Sequence, residues 1–326
     1  MIEHPSRLKL ISAFAAVYII WGSTYLGIRV AIESIPPFLM AGSRFIVSGS
    51  LLYVWTRIRR EPSPTIEHWR SAAIIGMMLL LIGNGALTWA EQLIPSGIAA
   101  LLAAVSPLWF VLIEWIQEGV RPSAGVVAGL LLGTLGVIVL INPANLVGGG
   151  EINLIGASVL VTASICWAGG SLYSRKAKLP SSPLLATAME MLAGGIGLIL
   201  LGAVTGELGR FEISAITYRS LGAYVYLTIF GSLIGFSAYI WLLRATTPTL
   251  ASTYAYVNPI VAVFVGWLVA DEVLSGRILL AAVVIIAAVA SITVLGTRRS
   301  TKTLKQLHVA EPPTQRVELS DSEATS

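Results

Sequence analysis

The stretch "IIWGSTYLGIR" (residues 19–29) recurs in altered form as "ICWAGGSLYSR" (residues 165–175), and this recurrence decides the fold. The gapless alignment has four identical positions: Ile19/Ile165, Trp21/Trp167, Leu26/Leu172 and Arg29/Arg175. Each stretch is largely apolar and ends in a positive charge. A pattern that returns 146 residues later, in a chain of 326 residues, indicates two copies of one structural unit.

The composition places the chain in a lipid bilayer. Hydrophobic residues make up 56% of the sequence and charged residues only 12%, whereas a soluble globular protein is about 25% charged. Apolar runs near 20 residues recur along the chain, and each is long enough to cross about 30 Å of hydrocarbon. The sequence therefore predicts an all-α integral membrane protein.

We predict ten transmembrane helices joined by short connections. They lie near residues 9–29, 37–56, 70–90, 94–115, 123–142, 153–174, 183–205, 218–243, 249–270 and 275–297. Residues 298–326 are rich in Lys, Arg, Glu, Ser, Thr and Pro. This composition is typical of a disordered segment, so we expect a disordered cytoplasmic tail.

The positive charges predict the orientation of these helices. With the N-terminus inside, sixteen of the 21 Lys and Arg residues fall in cytoplasmic segments, and four fall outside. Arg44 remains within the second span. Because cytoplasmic loops carry the excess of positive charge, we predict that both termini are cytoplasmic and that the membrane is a bacterial inner membrane. The same bias explains the basic pI, and we predict no nucleic acid partner.

Further pairs of residues extend the repeat over the chain. Pro37 and Pro183 are 146 residues apart, whereas Trp89 and Trp241 are 152 apart, which indicates a six-residue insertion near 206–218. Residues 86–115 and 238–267 share eight identical positions. We therefore predict a first repeat over 9–142 and a second over 153–297. Five spans per copy make the second copy enter the membrane from the opposite side, and inverted repeats of this kind support alternating access around a central site.

The chain resembles the drug/metabolite transporter superfamily, specifically its EamA-type ten-helix exporters. The resemblance is carried by "WGSTYLGIRVAIESIPPFLMAGSRF" (21–45) and "TYAYVNPIVAVFVGWLVADEVL" (253–274), and it covers roughly residues 9–297. The acidic residue that the family has after the fourth helix of a copy is present as Glu272. The aligned residue of the first copy is Val120, and Glu118 stands two positions earlier. The resemblance implies export of small metabolites or drugs, often with proton exchange.

Aromatic and small polar residues within the spans are candidates for a substrate cavity. Small polar groups among aromatic faces suit a mostly apolar or amino-acid-like metabolite. Aromatic belts at the membrane interface are the alternative for the tryptophans. The candidates are Trp21, Ser23, Thr24, Tyr25, Asn84, Trp89, Trp167, Ser171, Tyr254, Tyr256 and Asn258.

Charged residues within the spans are candidates for coupling or gating, because charge inside a membrane is costly. Arg44 and Glu190 occupy corresponding positions of the two repeats, so we consider a pair that acts as a gate latch or substrate anchor. A structural ion pair is the alternative. Glu91 and Glu114 lie near span ends, where a carboxylate could carry a proton or simply be solvated.

The sequence lacks the motifs of several other functions. No G-x-x-x-x-G-K-[ST] occurs, which argues against ATP hydrolysis. The histidines, His4, His68 and His308, lie in loops or tails, so an intramembrane serine protease would lack its base. We predict no enzyme activity, no cofactor and no metal. An uncoupled channel, a lipid-linked-sugar flippase and a scaffold stay open as alternatives to an exporter. "GLLLGTLG" (129–136) fits internal packing or a homodimer equally well.

Overall fold

The computed structural model describes residues 6–94, 96–119, 121–141, 153–270, 276, 279–288 and 291. Within them the regular structure is helical, with no strand. In chain order the helices are α1 (Arg7–Ala31), α2 (Pro37–Ile58), α3 (Ile66–Ala90), α4 (Ser96–Ala103), α5 (Ser106–Glu118), α6 (Ala124–Ile141), α7 (Leu154–Lys176), α8 (Pro183–Val204), α9 (Glu207–Arg210), α10 (Tyr218–Ala245), α11 (Pro248–Ala251), α12 (Tyr254–Ala270) and α13 (Leu279–Ala288).

Six of these helices are long and apolar enough to cross a membrane: α1, α2, α3, α7, α8 and α10. Their bounds agree with six of the ten predicted spans to within about four residues. The helices α6 and α13 are apolar but shorter over their described residues. Large apolar side chains such as Leu51, Leu200 and Leu268 are exposed on the outer surface, as expected where lipid replaces water. The predicted tail and Glu272 lie outside the described residues.

The predicted fourth and ninth spans are each built from two helices. The fourth is α4 followed by α5, and Pro107 stands in the first turn of α5. A proline is well tolerated there, because the first-turn N–H groups have no partner within the helix. The ninth is α11 followed by α12, and Pro259 lies inside α12. Pro107 therefore begins a helix, whereas the corresponding Pro259 lies within one.

Both α3 and α10 are π-wound in their middle portions, over Met77–Asn84 and Leu227–Phe236. The two π-wound segments end 152 residues apart, at corresponding positions of the two copies. A π segment within a helix widens the turn and often marks a functional site. Both segments contribute residues to the cavity described below.

Contacts between the two copies occur in equivalent pairs, in which the first and the second copy exchange roles. A Cβ on Gly42 would lie 3.0 Å from the carbonyl oxygen of Gly195, and a Cβ on Gly49 would lie 3.0 Å from that of Ala188. Ala188 corresponds to Gly42 and Gly195 to Gly49, so the two contacts are equivalent. Their register runs in opposite directions along α2 and α8, which means that these corresponding helices pack antiparallel. Small residues allow the close approach.

The six inserted residues lie between α8 and α10. Seven residues separate α2 from α3, whereas thirteen separate α8 from α10. The insertion carries α9, whose Glu207 is buried and accepts hydrogen bonds from the backbone N–H groups of Phe38 (3.3 Å) and Leu39 (3.0 Å). No side chain of α2's own N-cap does this, because that residue is Pro36. A carboxylate from the second copy therefore caps a helix of the first.

Candidate functional site

A cavity of about 830 Å³, counted with its opening, lies between helices of both copies. It extends from the middle of the bundle toward the end at which α1 and α3 end, at Ala31 and Ala90. We call this the cavity end. The lining residues are Trp21, Thr24, Tyr25, Ile28, Arg44, Phe45, Leu80, Gly83, Asn84, Leu87, Ala103, Ser106, Leu160, Ala163, Ser164, Trp167, Gly231, Ser232, Phe236, Tyr254 and Asn258. Most are apolar, with a few polar groups, as in sites for small molecules.

Four aromatic side chains form the floor of the cavity: Trp21, Trp167, Tyr239 and Tyr254. The ring centroids of Trp21 and Trp167 are 5.6 Å apart, and the Tyr239 centroid is 4.9 Å from that of Trp21 and 5.5 Å from that of Trp167. The Tyr254 ring is 5.1 Å from that of Trp21. Trp21 and Trp167 are the repeated tryptophans of the two copies, so the floor lies where the copies meet.

Hydrogen bonds hold the floor in place. The indole N–H of Trp167 donates to the hydroxyl of Tyr239 (3.0 Å), which also bonds to the Ser171 hydroxyl (2.6 Å). The indole N–H of Trp21 donates to the carbonyl oxygen of Gly231 (3.1 Å). Tyr239 is fully buried. A buried aromatic cluster with its polar atoms paired forms a firm barrier across the bundle.

Two glycines allow the tryptophans to reach these positions. A Cβ on Gly83 would lie 2.7 Å from Cε3 of Trp167, and a Cβ on Gly235 would lie 2.6 Å from Nε1 of Trp21. Gly83 and Gly235 are 152 residues apart, and the tryptophans are 146 apart, so the contact is again repeated with the copies exchanged. Any larger side chain at either glycine would displace an indole ring.

Among the described residues that line the cavity, Arg44 is the one cation. Its side chain is 2% exposed, its Nη2 donates to Oδ1 of Asn84 (2.5 Å), and its guanidinium carbon lies 4.6 Å from the centroid of the Phe45 ring. Asn84 in turn accepts from the Thr88 hydroxyl through its backbone oxygen (2.9 Å). The cation is thus oriented by an amide and an aromatic ring.

Arg44 and Glu190 do not form the pair that we considered from the sequence. Both carboxyl oxygens of Glu190 are buried and have no hydrogen-bond partner. Glu190 packs against α3, where its backbone oxygen lies beside Gly76, and its carboxyl group interacts electrostatically with Arg244. The two side chains face opposite ends of the bundle, because α2 and α8 run antiparallel.

Glu91 is a second buried carboxyl group without a hydrogen-bond partner. It follows the last residue of α3 at the cavity end. Arg29 donates to its backbone oxygen (2.6 Å) rather than to its carboxyl group. The carboxyl group of Glu91 interacts electrostatically with Arg29 and Arg44. Glu91 therefore lies close to the cavity without lining it.

The end of the bundle opposite the cavity is closed by polar contacts, and we call it the closed end. Glu118 of α5 forms a salt bridge with Lys176 of α7 (2.8 Å). Glu114 accepts from the Thr249 hydroxyl (3.2 Å), and the hydroxyls of Tyr18 and Thr253 are 2.6 Å apart. These contacts join helices of the first copy to helices of the second. They hold the two copies together beyond the aromatic floor.

The structure brings eight of the fifteen residues predicted from the sequence to the cavity: Trp21, Thr24, Tyr25, Arg44, Asn84, Trp167, Tyr254 and Asn258. The others lie elsewhere. Ser23 bonds to the Tyr226 hydroxyl (2.5 Å), Ser171 lies behind the floor, and Tyr256 is fully buried with its hydroxyl donating to the Leu130 carbonyl oxygen (3.3 Å). Trp89 packs in a hydrophobic cluster, Glu114 is at the closed end, and Glu91 and Glu190 lie outside the lining.

Sequence reasoning missed Tyr239, Ser106 and Ser232. Tyr239 is a phenol in an otherwise apolar run, and it corresponds to Leu87, which also lies at the cavity. That correspondence is the signal that could have found it. Ser106 corresponds to the predicted Asn258 in the same way.

The fold and the cavity define the chain as a membrane transporter. Residues 8–142 and 154–294 each match the EamA-like transporter family, so the chain belongs to that family. The two matches show that its domain occurs twice.

The chain is similar in sequence to known bacterial proteins. The chain is 41% identical over 287 residues to a protein of Escherichia coli strain K12 named as an uncharacterized inner membrane transporter, YedA, covering 88% of this chain and 91% of that protein. It is 26% identical over 299 residues to Protein PecM of Dickeya dadantii, covering 88% and 94%. A solved structure described only as the crystal structure of a protein has a TM-score of 0.71 at 22% identity, covering 90% and 99% of the two chains, which shows the shared fold.

Proposed function

We propose that the chain is a secondary active transporter that exports small metabolites, amino-acid-like compounds or drugs, across the inner membrane by alternating access in exchange for protons. The observation that carries this proposal is the cavity, which both copies line and which ends at a floor built from corresponding tryptophans. A site that lies where two repeated halves meet is the arrangement expected for alternating access.

We further propose that the chain crosses the membrane ten times as two inverted five-helix repeats with both termini cytoplasmic. The antiparallel packing of α2 against α8 and the exchanged glycine contacts support inversion. With this orientation the cavity end is periplasmic, and the present conformation faces outward. Exchange of the two conformations would open the closed end, so that residues corresponding to the present lining would line an inward-facing cavity.

Ile28 and Ser174 illustrate this exchange. Ile28 lines the cavity, and Ser174, 146 residues later, lies in α7 on the other side of the floor, where it is 7% exposed. An alternating-access transporter would expose Ser174 to the cytoplasm only when Ile28 is closed off from the periplasm.

Glu190 is the residue to which we assign proton exchange. It is fully buried, lies in a membrane-spanning helix and has neither carboxyl oxygen paired. Ionisable residues inside membrane helices commonly mark proton pathways. The helix exchange described above would bring Glu190 to the inward-facing cavity, as Arg44 is now at the outward-facing one. Glu91 is the alternative carrier.

The test is efflux from loaded cells, together with uptake into inverted vesicles, with a panel of labelled amino acids and drugs. It is run with and without a pH gradient, on the wild type and on Glu190→Gln, with Glu67→Gln as a matched control at an exposed surface position. In the wild type we expect saturable efflux that stops when the gradient is collapsed. Glu190→Gln should lose this dependence on the gradient, and Glu67→Gln should keep it. Saturable efflux that ignores the gradient would leave a facilitator, and no efflux of any compound would favour a flippase or scaffold.

A further inference from the structure

We propose that Arg44 forms a carboxylate-binding subsite in the cavity, so that the transported molecule is a small monocarboxylate with an apolar body. This inference rests on the proposed transport function and names the chemical class of its substrate.

The guanidinium of Arg44 has far fewer partners than it can bind. It offers five N–H donors in a planar fork, and within the described part of the chain one of them reaches a protein acceptor, Oδ1 of Asn84. Its Nε is buried without a partner. Among the described residues, no carboxylate oxygen lies within 4 Å of it. A cation held in a membrane protein at 2% exposure usually has a counter-ion, because an uncompensated buried charge is costly.

None of the described carboxyl groups pairs directly with this guanidinium. Both oxygens of Glu207, which caps the start of α2, accept hydrogen bonds from backbone N–H groups. Glu91 interacts electrostatically with Arg44, but its carboxyl oxygens make no hydrogen bond or salt bridge to it. The Glu190 side chain lies toward the other end of the bundle, where it interacts electrostatically with Arg244. The guanidinium therefore stays available to a ligand.

The structure leaves space next to the guanidinium on the cavity side. Gly231 lines the cavity, and a Cβ on it would lie 3.2 Å from Cγ2 of Thr24 and 4.0 Å from Nη1 of Arg44. A side chain at this position would therefore take up space beside the guanidinium. Its absence lets a planar group such as a carboxylate approach Arg44, the geometry in which arginine binds two oxygens at once.

The other lining residues determine which charge and which apolar body the bound molecule can have. One cation matches one negative charge, so the cavity suits a monocarboxylate better than a dianionic phosphate, which would leave a charge unpaired. The aromatic faces of Trp21 and Tyr254, together with Leu80 and Phe236, offer apolar contacts for the body. The buried atoms Oγ of Ser232 and Oδ1 of Asn258 have no hydrogen-bond partner and can satisfy one further polar group.

The experiment compares acids with their amides, which have nearly the same shape and lack the negative charge. Binding of L-leucine, L-leucinamide, 3-phenylpropionate and 3-phenylpropanamide to the purified full chain is measured by tryptophan fluorescence, because two indoles line the cavity, and by calorimetry. We expect at least one acid to bind about tenfold or more tightly than its amide, as a charge-assisted bidentate contact would give. Neither acid binding, or an amide binding as tightly as its acid, would overturn the proposal.

Two variants and a matched control assign the preference to Arg44. Arg44→Gln is expected to remove the acid preference, and Arg44→Lys to keep part of it because the charge remains. Arg57→Gln removes an exposed cation at the other end of α2, outside the cavity lining, and it is expected to bind the acids as the wild type does. Retention of the full acid preference by Arg44→Gln would overturn the assignment. If that variant is aggregated on gel filtration, the acid and amide comparison on the wild type decides alone.

The outcome is separable from that of the proposed function. Efflux of the cation tetraphenylphosphonium, with no binding of either acid, would overturn the subsite and leave the exporter standing. Binding of the acids without saturable efflux of any compound would support the subsite and overturn the exporter.

Discussion

Replacing Tyr239 with phenylalanine tests whether the aromatic floor holds the transporter in its present conformation. The change removes one hydroxyl, which accepts from the Trp167 indole N–H at 3.0 Å and bonds to Ser171 at 2.6 Å. Ser171 keeps its bond to the Trp167 backbone oxygen (2.7 Å), so the main loss is the partner of the indole. A lost hydrogen bond and a buried donor without a partner cost about 1–2 kcal/mol together.

That cost applies only to the conformation in which the floor is closed. If opening the closed end separates Trp167 from Tyr239, the substitution destabilises the outward-facing state alone. A change of about 1–2 kcal/mol shifts a two-state equilibrium by about 5- to 30-fold. We expect Tyr239→Phe to raise the inward-facing population by that factor.

The assay is the rate at which a membrane-impermeant maleimide labels Ser174→Cys from the cytoplasmic face, in inverted vesicles. The natural Cys166 is replaced by serine, and Ser174 is a suitable reporter because its hydroxyl bonds only within its own helix. The labelling rate should rise about 5- to 30-fold in Tyr239→Phe. Tyr53→Phe, which lies beside Trp69 away from the floor, should leave the rate unchanged. A folded Tyr239→Phe variant with an unchanged or slower rate would refute the reasoning.

Two further predictions concern stability. Glu207→Ala removes the carboxylate that caps α2 and should lower the free energy of unfolding by about 0.5–2 kcal/mol, with a smaller loss in Glu207→Gln. Denaturant titration in detergent measures this loss. An unchanged midpoint would contradict the prediction. Gly195→Ala places a Cβ 2.9 Å from Cγ1 of Ile46 and should lower the free energy of unfolding by about 1–3 kcal/mol through overpacking. The Cβ of Gly222→Ala meets nothing within 4 Å, so this control should be neutral or stabilise by up to about 1 kcal/mol. Equal melting temperatures for the two variants would contradict the packing of α2 against α8.

The helices were predictable from the sequence because apolar runs of membrane length have one stable solution in lipid. The bounds of α2 follow from Pro37 at its start, and those of α8 from Pro183 in the same way. The break between α4 and α5 was not predictable from hydropathy, because both helices are apolar and Pro107 reads equally as a kink or as a helix start. The π-wound turns leave no mark in the periodicity of apolar residues, since nearly every position there is apolar.

The candidate site was partly predictable for a different reason. Repeated residues such as Trp21 and Trp167 meet if they lie on the two-fold axis that relates the copies, and they do. The pairing of Arg44 with Glu190 failed because corresponding residues meet only when they lie on the axis itself. Arg44 and Glu190 follow Gly42 and Ala188 by two residues, which is about 200° around a helix, so both side chains lie on faces turned away from the contact between α2 and α8. Sequence alone gives the correspondence and does not give the distance from the axis.

The measurement that tests alternating access most directly is the paired labelling of Ile28→Cys and Ser174→Cys in the Cys166→Ser background. Ile28→Cys should react with an impermeant maleimide from the periplasmic face only, and Ser174→Cys from the cytoplasmic face only. Any condition that raises one rate, such as a bound transport substrate or Tyr239→Phe, should lower the other. Labelling of both positions from the same face, or rates that rise together, would contradict alternating access and indicate a continuous channel.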